Sequence, residues 1–328
     1  MKAILGVDIG KEEFDVKLEY GEQKEEDAIF DNVPAGHKKL QRFMKKRKVE
    51  KAHVCMEATG RYGEVLAEFL YEQGHDVSVV NPARIKAYAK SQLQRNKTDK
   101  LDAALIADFC RTQNPPLWTP PSPECRQLQV LVRHLEDLGA DYQRQRNRLD
   151  ALIHSAHPSP VVIDNLNKQI DLLKQQIEQV KAEIQDHIDN HPDMKQQRDL
   201  LDSIKGLGPL TAAKLMAEFG NIANFDNVRQ LIAFAGLNPT HHQSGKSKRS
   251  KTPISKMGRS SIRAALYMPA VSARQYNPIL KAFADRLEER GVQGKQITVA
   301  VMRKLLHLAY GVLKSGQPFD PNYLENRP

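Results

Sequence analysis

Ala3-Ile4-Leu5-Gly6-Val7-Asp8-Ile9-Gly10, followed after a short gap by Glu13-Phe14-Asp15-Val16-Lys17-Leu18-Glu19-Tyr20, decides the fold of this 328-residue chain. The first run is apolar until Asp8 and stops at a glycine, as a buried strand does. The second alternates, with Phe14, Val16 and Leu18 on one face, as a half-buried strand does. A strand, a tight turn and a second strand follow. Ala28 to Phe30 is a third strand candidate, Gly36 to Lys46 reads as helix, and Ala52 to Met56 is another buried strand that ends at Glu57. Tyr62 to Glu72 is an amphipathic helix closed by Gly74, and Val77 to Val80 is a strand stopped by Asn81-Pro82. Ala83 to Gln94 and Thr98 to Arg111 read as helices. Strands that give way to alternating helix and strand predict a mixed α/β sheet over residues 1–112.

Five prolines between Asn114 and Pro123 exclude a helix interior and predict a linker or brace. Beyond it the pattern is helical. Leu128, Val132, Leu135, Leu138, Tyr142 and Leu149 mark one helix face. After His157-Pro158-Ser159-Pro160, the residues Leu166, Ile170, Leu173, Ile177, Val180, Ile184 and Ile188 repeat at three-four spacing, a coiled-coil seam. Such a seam packs on the preceding helix or pairs two subunits, and pairing is the expectation. The resulting division is 1–112, an α/β domain; 113–195, a Pro-rich linker with long helices; and 196–328, a helical C-terminal domain.

The net charge of +9 is concentrated. No acid interrupts Asp226 to Asp285, a stretch that carries Lys246, Lys248, Arg249, Lys251, Lys256, Arg259 and Arg263. A second acid-free stretch, from Asp76 to Asp99, includes Arg84, Lys86, Lys90, Arg95 and Lys97. One-sign fields of this kind predict a nucleic-acid partner. In Ile204-Lys205-Gly206-Leu207-Gly208-Pro209-Leu210, the two glycines between helices resemble a helix-hairpin-helix, in which Gly206 and Gly208 would let backbone N–H groups approach a phosphate. Cys55, Cys110 and Cys125 form neither a disulfide framework nor a zinc pattern. No membrane span, signal peptide or Gly-x-x-x-x-Gly-Lys-Ser/Thr loop is found, so a cytoplasmic chain, nucleoid-associated when on DNA, is expected and ATP use is not.

Four acids stand where strands end or a helix starts: Asp8, Glu57, and the pair Asp99 and Asp102, which shares one helix face. Read singly, they are turn or capping residues. Read together, four converging carboxylates repel one another, and a hard divalent cation, Mg²⁺ or Mn²⁺, relieves the repulsion. Two such ions suit in-line phosphoryl transfer.

Gly6-Val7-Asp8-Ile9-Gly10-Lys11, Met56-Glu57-Ala58-Thr59-Gly60 and Asn96-Lys97-Thr98-Asp99-Lys100-Leu101-Asp102-Ala103 resemble the three signatures of the DEDD transposases, the insertion-sequence one-ten family that includes Piv-type DNA invertases. Phe234-Ala235-Gly236-Leu237-Asn238-Pro239, Ser244-Gly245, Ile254-Ser255-Lys256-Met257-Gly258 and Ile262-Arg263-Ala264-Ala265-Leu266-Tyr267 resemble the family's C-terminal domain in order and spacing. The resemblance implies a RuvC-like, RNase H-like N-terminal fold with Asp8, Glu57, Asp99 and Asp102 on the metal. It also implies that Ser244 is a nucleophile forming a phosphoserine link to DNA. From the residues alone, Ser247, Ser250, Ser255, Ser260 and Ser261 are rivals, and His241 or His242 is a base candidate. One departure is Ser250, where relatives often carry glycine after the basic residue. The family further implies donor and target DNA and a structured guide RNA. A homodimer or tetramer is the expectation from the coiled-coil seam, and the wide separation of the acids from Ser244 in sequence leaves room for one site to combine two subunits. The alternative is a RuvC-like endonuclease that resolves junctions with water as nucleophile and needs only the carboxylates.

Overall fold

The computed structural model describes residues 3–58, 60–92, 99–240, 243–244, 248–249 and 253–322, with backbone alone for 99–101, 243–244 and 248–249. The chain resolves into two compact units, Met1–Pro120 and Pro121–Pro328.

The first unit is a five-stranded sheet with helices on both faces. Strands β1 (Ala3–Ile9), β2 (Glu13–Tyr20) and β3 (Lys24–Asp31) form an antiparallel meander. Helix α1 (Pro34–Lys46) leads to β4 (Ala52–Glu57), which runs parallel to β1. Helix α2 (Glu64–Glu72) follows a 3-10 turn at Arg61–Gly63, and β5 (Asp76–Val80) pairs parallel with β4. Helices α3 (Pro82–Ser91) and α4 (Asp99–Gln113) complete the unit. The strand order is β3-β2-β1-β4-β5.

Alternation along β1 divides the layers. Leu5, Val7 and Ile9 point to a core shared with Leu40 and Met44 of α1 and Leu66, Ala67 and Leu70 of α2. Ile4 and Cys55 point to the other core, with Ile85 of α3 and Leu105, Ile106, Phe109 and Cys110 of α4. The Pro-rich segment acts as a brace on β5. The Trp118 N–H donates to the Val77 carbonyl at 2.6 Å, and Ser78 Oγ–H donates to the Pro116 carbonyl at 2.9 Å. Strand β3 is longer than the sequence suggested. Its charged first half is held by cross-strand pairs from Lys17 to Glu25 and Asp27, at 2.9 and 3.3 Å.

The second unit is built of helices with one small hairpin: α5 (Pro123–Ile153), α6 (Pro160–Asp189), α7 (Pro192–Asp202), α8 (Pro209–Phe219), α9 (Val228–Phe234), β6 (Gln243–Ser244), β7 (Lys248–Arg249), α10 (Ser260–Tyr276), α11 (Pro278–Glu289) and α12 (Gly294–Ser315). The three-four seam of α6 lies in a helical hairpin with α5, and Ile184 and Ile188 enter one core with Leu128, Val132 and Leu135. The preceding helix is therefore the seam's partner within the chain. No helix among the described residues is long and apolar enough to cross a membrane.

Candidate functional site

Two strand ends bring acids to one place. β1 and β4 pair in parallel with Gly6 opposite Cys55 and Val7 opposite Met56, so the next residues along are Asp8 and Glu57. Side chains two apart share a face, and partners across a parallel pair share it too. Asp8 therefore projects on the face of Gly6, and Glu57 on the face of Cys55, which is the face covered by α4. Both are half-buried.

α4 rests directly on that face. A Cβ on Gly6 would lie 2.3 Å from the Ala103 carbonyl oxygen and 2.4 Å from the Ala107 nitrogen, so only glycine permits this approach. The contact seats Ala103 and Ala107 of α4 against β1 two residues along the strand from Asp8. Asp102 is half-buried on the helix side of Leu105, Ile106 and Phe109, one turn ahead of them. Asp99 is the first residue of α4, and only its backbone is described. Asp8, Glu57 and Asp102 each hold an interaction within the chain. Among the described residues, no group of three His, Cys, Asp or Glu side chains is gathered closely enough to hold a metal.

Sequence reading missed one acid on this face. Asp15 of β2 pairs across the antiparallel ladder with Asp8 and is half-buried. The alternation of Phe14, Val16 and Leu18 could have found it, because the odd positions of β2 must take the opposite face. A like-charged cross-strand pair is unfavourable unless something offsets it. Behind the acids, Cys55 is buried and hydrogen-bonded to Cys110. That bond and burial push its thiol far above the ordinary range, with the Glu57 charge adding to the effect and Arg84 opposing it.

The second group lies in the other unit. Ser244 sits in β6, which pairs antiparallel with β7, Gln243 opposite Arg249 and Ser244 opposite Lys248. The described segments on either side of these strands are fastened to each other. Thr240 N–H donates to the Pro253 carbonyl at 2.8 Å, and Ser255 N–H donates to the Asn238 carbonyl at 2.9 Å. Ser255 Oγ–H donates to Asn238 Oδ1 at 2.6 Å. Gly236 and Gly258 meet backbone to backbone, since a Cβ on Gly258 would lie 2.5 Å from the Gly236 nitrogen.

Of the cations expected to bind nucleic acid, Lys97, Lys246 and Lys251 lie outside the described residues, as do His241 and His242; Lys248 and Arg249 are described by backbone alone. Lys256 is exposed, at φ +54°. Arg259 pairs with Glu218 at 3.0 Å and lies over the Phe234 ring. Arg263 donates through Nη1 to the carbonyls of Ala235, at 2.8 Å, and Gly258, at 3.1 Å, one on each arm of the loop that carries the hairpin. Gly206 has φ +108°, and a Cβ there would meet the Ala273 Cβ at 2.6 Å, so its bareness serves packing on α10. Gly208 is exposed at the N-terminus of α8 with open space around it.

Comparison with known proteins covers both regions. A transposase family model of the DEDD type, for insertion sequence IS110, matches residues 5–158. A second, described as transposase IS116/IS110/IS902 family, matches residues 198–285. The chain is 35% identical to the pilin gene-inverting protein of Moraxella bovis over 97% of its own length and 98% of that protein. It is 25% identical to the transposase for insertion sequence element IS1328 of Yersinia enterocolitica, over 78% of this chain and 82% of that one.

Proposed function

Because the chain belongs to the IS110 family of DEDD transposases and is a DNA transposase or recombinase, we propose that it cuts and rejoins DNA through a covalent phosphoserine intermediate formed by Ser244. Its fold, in this reading, is RNase H-like: the order β3-β2-β1-β4-β5, with a meander followed by parallel strands, supports it. The observation that carries the reading is the pairing register that brings Asp8 and Glu57 side by side under the first turns of α4. An all-carboxylate donor set suits a hard cation. Asp8, Glu57, Asp99 and Asp102 would hold Mg²⁺ or Mn²⁺, which supplies charge stabilisation at the scissile phosphate.

The Ser244 oxygen attacks phosphorus, the bond to the 3′ oxygen breaks, and that oxygen leaves as a hydroxyl once protonated. A second strand's hydroxyl then attacks the phosphoserine, restoring a phosphodiester and the serine. Bonds made and broken are alike, so no nucleotide hydrolysis is required. Lys246, Lys248, Arg249, Lys251 and Lys256 grip DNA phosphates, and the glycine hairpin at Gly208 adds a backbone contact of helix-hairpin-helix type. Arg259 and Arg263 contribute chiefly by shaping the loop. Donor and target are selected by a structured guide RNA, and the working assembly is a dimer or tetramer.

The Moraxella bovis relative is named for inverting a pilin gene, a rearrangement of the same kind. The test is adduct trapping with labelled DNA under denaturing conditions. Ser244→Ala abolishes the adduct, and Asp8→Asn lowers its yield by about two orders of magnitude. Adducts persisting in Ser244→Ala refute the nucleophile, and free 5′-phosphate ends in their place support hydrolysis by water instead.

A further inference from the structure

α1 carries a feature that the carboxylates and the serine hairpin do not use. Its inward residues Leu40 and Met44 are fully buried, while Lys38, Arg42, Lys45 and Lys46 are all exposed. Spaced by four, three and one, they form a single stripe along the outer face, about 12 Å long at 1.5 Å per residue. Lys48 is exposed just beyond the helix. Of the helix and its cap, Lys39 pairs with Asp31 at 3.1 Å and Arg47 pairs with Glu26 while stacking on Phe43. Among the described residues no carboxylate pairs with the four stripe cations.

The long helix α6 shows the opposite arrangement, with its cations matched. On α6, Lys168, Lys174 and Lys181 each pair with an acid three or four residues earlier, at 2.7–3.0 Å. A row of unmatched like charges repels itself and lowers stability unless a polyanion covers it. The stripe has no exposed aromatic side chain, since Phe43 lies half-buried beneath Arg47, so it offers nothing on which unpaired bases would stack. It is a surface for phosphates held in a regular row, and the duplex that this family's reaction supplies is DNA.

We propose that the outer face of α1 binds the phosphate backbone of a DNA duplex remote from the cleaved bond. The remoteness follows from the layers: α1 packs on the Leu5–Val7 face of the sheet, whereas Asp8 and Glu57 project from the other. The contact thus anchors a flank or a second duplex without touching the reacting phosphate. It rests on DNA as partner and is independent of whether Ser244 is the nucleophile.

The experiment compares two full-length variants that each lose three positive charges: Lys38→Gln/Arg42→Gln/Lys45→Gln on α1, and Lys168→Gln/Lys174→Gln/Lys181→Gln on α6. Binding of a random-sequence 40-base-pair DNA and of a double-stranded RNA of equal length is measured from about 0.05 to 0.3 M salt. The α1 variant is expected to bind DNA at least tenfold more weakly at about 0.1 M salt, with the slope of log K against log salt reduced by about 2–3. The α6 variant is expected to match the parent, and Lys38→Arg/Lys45→Arg to retain parental binding. Equal losses in both glutamine variants, an unchanged slope in the α1 variant, or a loss confined to RNA overturns the proposal. Asp8→Asn run alongside separates this from the catalytic reading, since it removes chemistry and leaves the α1 contact in place.

Discussion

The neutral state of His75 is dictated by its partners. The Ala52 N–H donates to Nδ1 at 3.3 Å, so Nδ1 must be the bare nitrogen, and Nε2–H donates to Gln41 Oε1 at 3.1 Å. Burial holds the pKa below the ordinary 6.5, with Asp76 partly opposing. His37 is depressed by burial alone. Protonating Nδ1 would forfeit the Ala52 bond and leave charge in the core. The unfolded chain therefore takes up these protons at a higher pH than the folded chain. Stability is complete above pH 6.5 and declines as pH falls below it toward the depressed folded values. Chemical denaturation of the parent at pH 7.5 and 5.5 is expected to show a lower midpoint at the acid pH. His75→Gln is expected to shrink that difference, and a parent midpoint flat across the window would contradict the assignment.

At the scale of elements, the decisive contacts are backbone on backbone. Gly6→Ala would drive a methyl into the Ala103 carbonyl and the Ala107 nitrogen, atoms that cannot rotate aside. Overpacking of this kind costs roughly 1–3 kcal/mol, and α4 must lift from the sheet with Asp102 on it. The variant is expected to melt lower and to lose recombination activity together; full activity would mean that the α4 position is irrelevant to the site. Arg263→Ala frees the carbonyls of Ala235 and Gly258, at a cost of roughly 1–2 kcal/mol. Amide exchange at Thr240 and Ser255 is expected to quicken, and Arg263→Lys is not expected to restore it fully, because the shorter lysine chain stops short of where Nη1 lies. These devices mark what the sequence could show. Alternation located β2 at its observed bounds, and Asp8 and Glu57 were visible because acids ending apolar runs stand out. Arg263 read as one more cation in a basic stretch, because its acceptors lie 28 and 5 residues away and no pattern joins them. The charged half of β3 was hidden for the same reason: its stability comes from Lys17 on the neighbouring strand.

For the whole molecule, the apolar clusters are disjoint. The two cores flanking the sheet draw on residues up to Trp118, and the helical core begins at Leu128. The chain divides into two compact units, and compact units of this kind are expected to unfold as separate transitions. Calorimetry of the intact chain is accordingly expected to resolve two heat-absorption peaks. Assignment follows from the variants, because Gly6→Ala perturbs only the sheet unit and Arg263→Ala only the helical one. Acidification from pH 7.5 to 5.5 should move the peak that Gly6→Ala moves, since His37 and His75 both belong to that unit. His307, depressed by burial on α12, should pull the other peak in the same direction. A single peak that shifts as a whole with either substitution would show that folding couples the carboxylate-bearing unit to the serine-bearing one, and the two chemistries would then have to be treated as one folding unit.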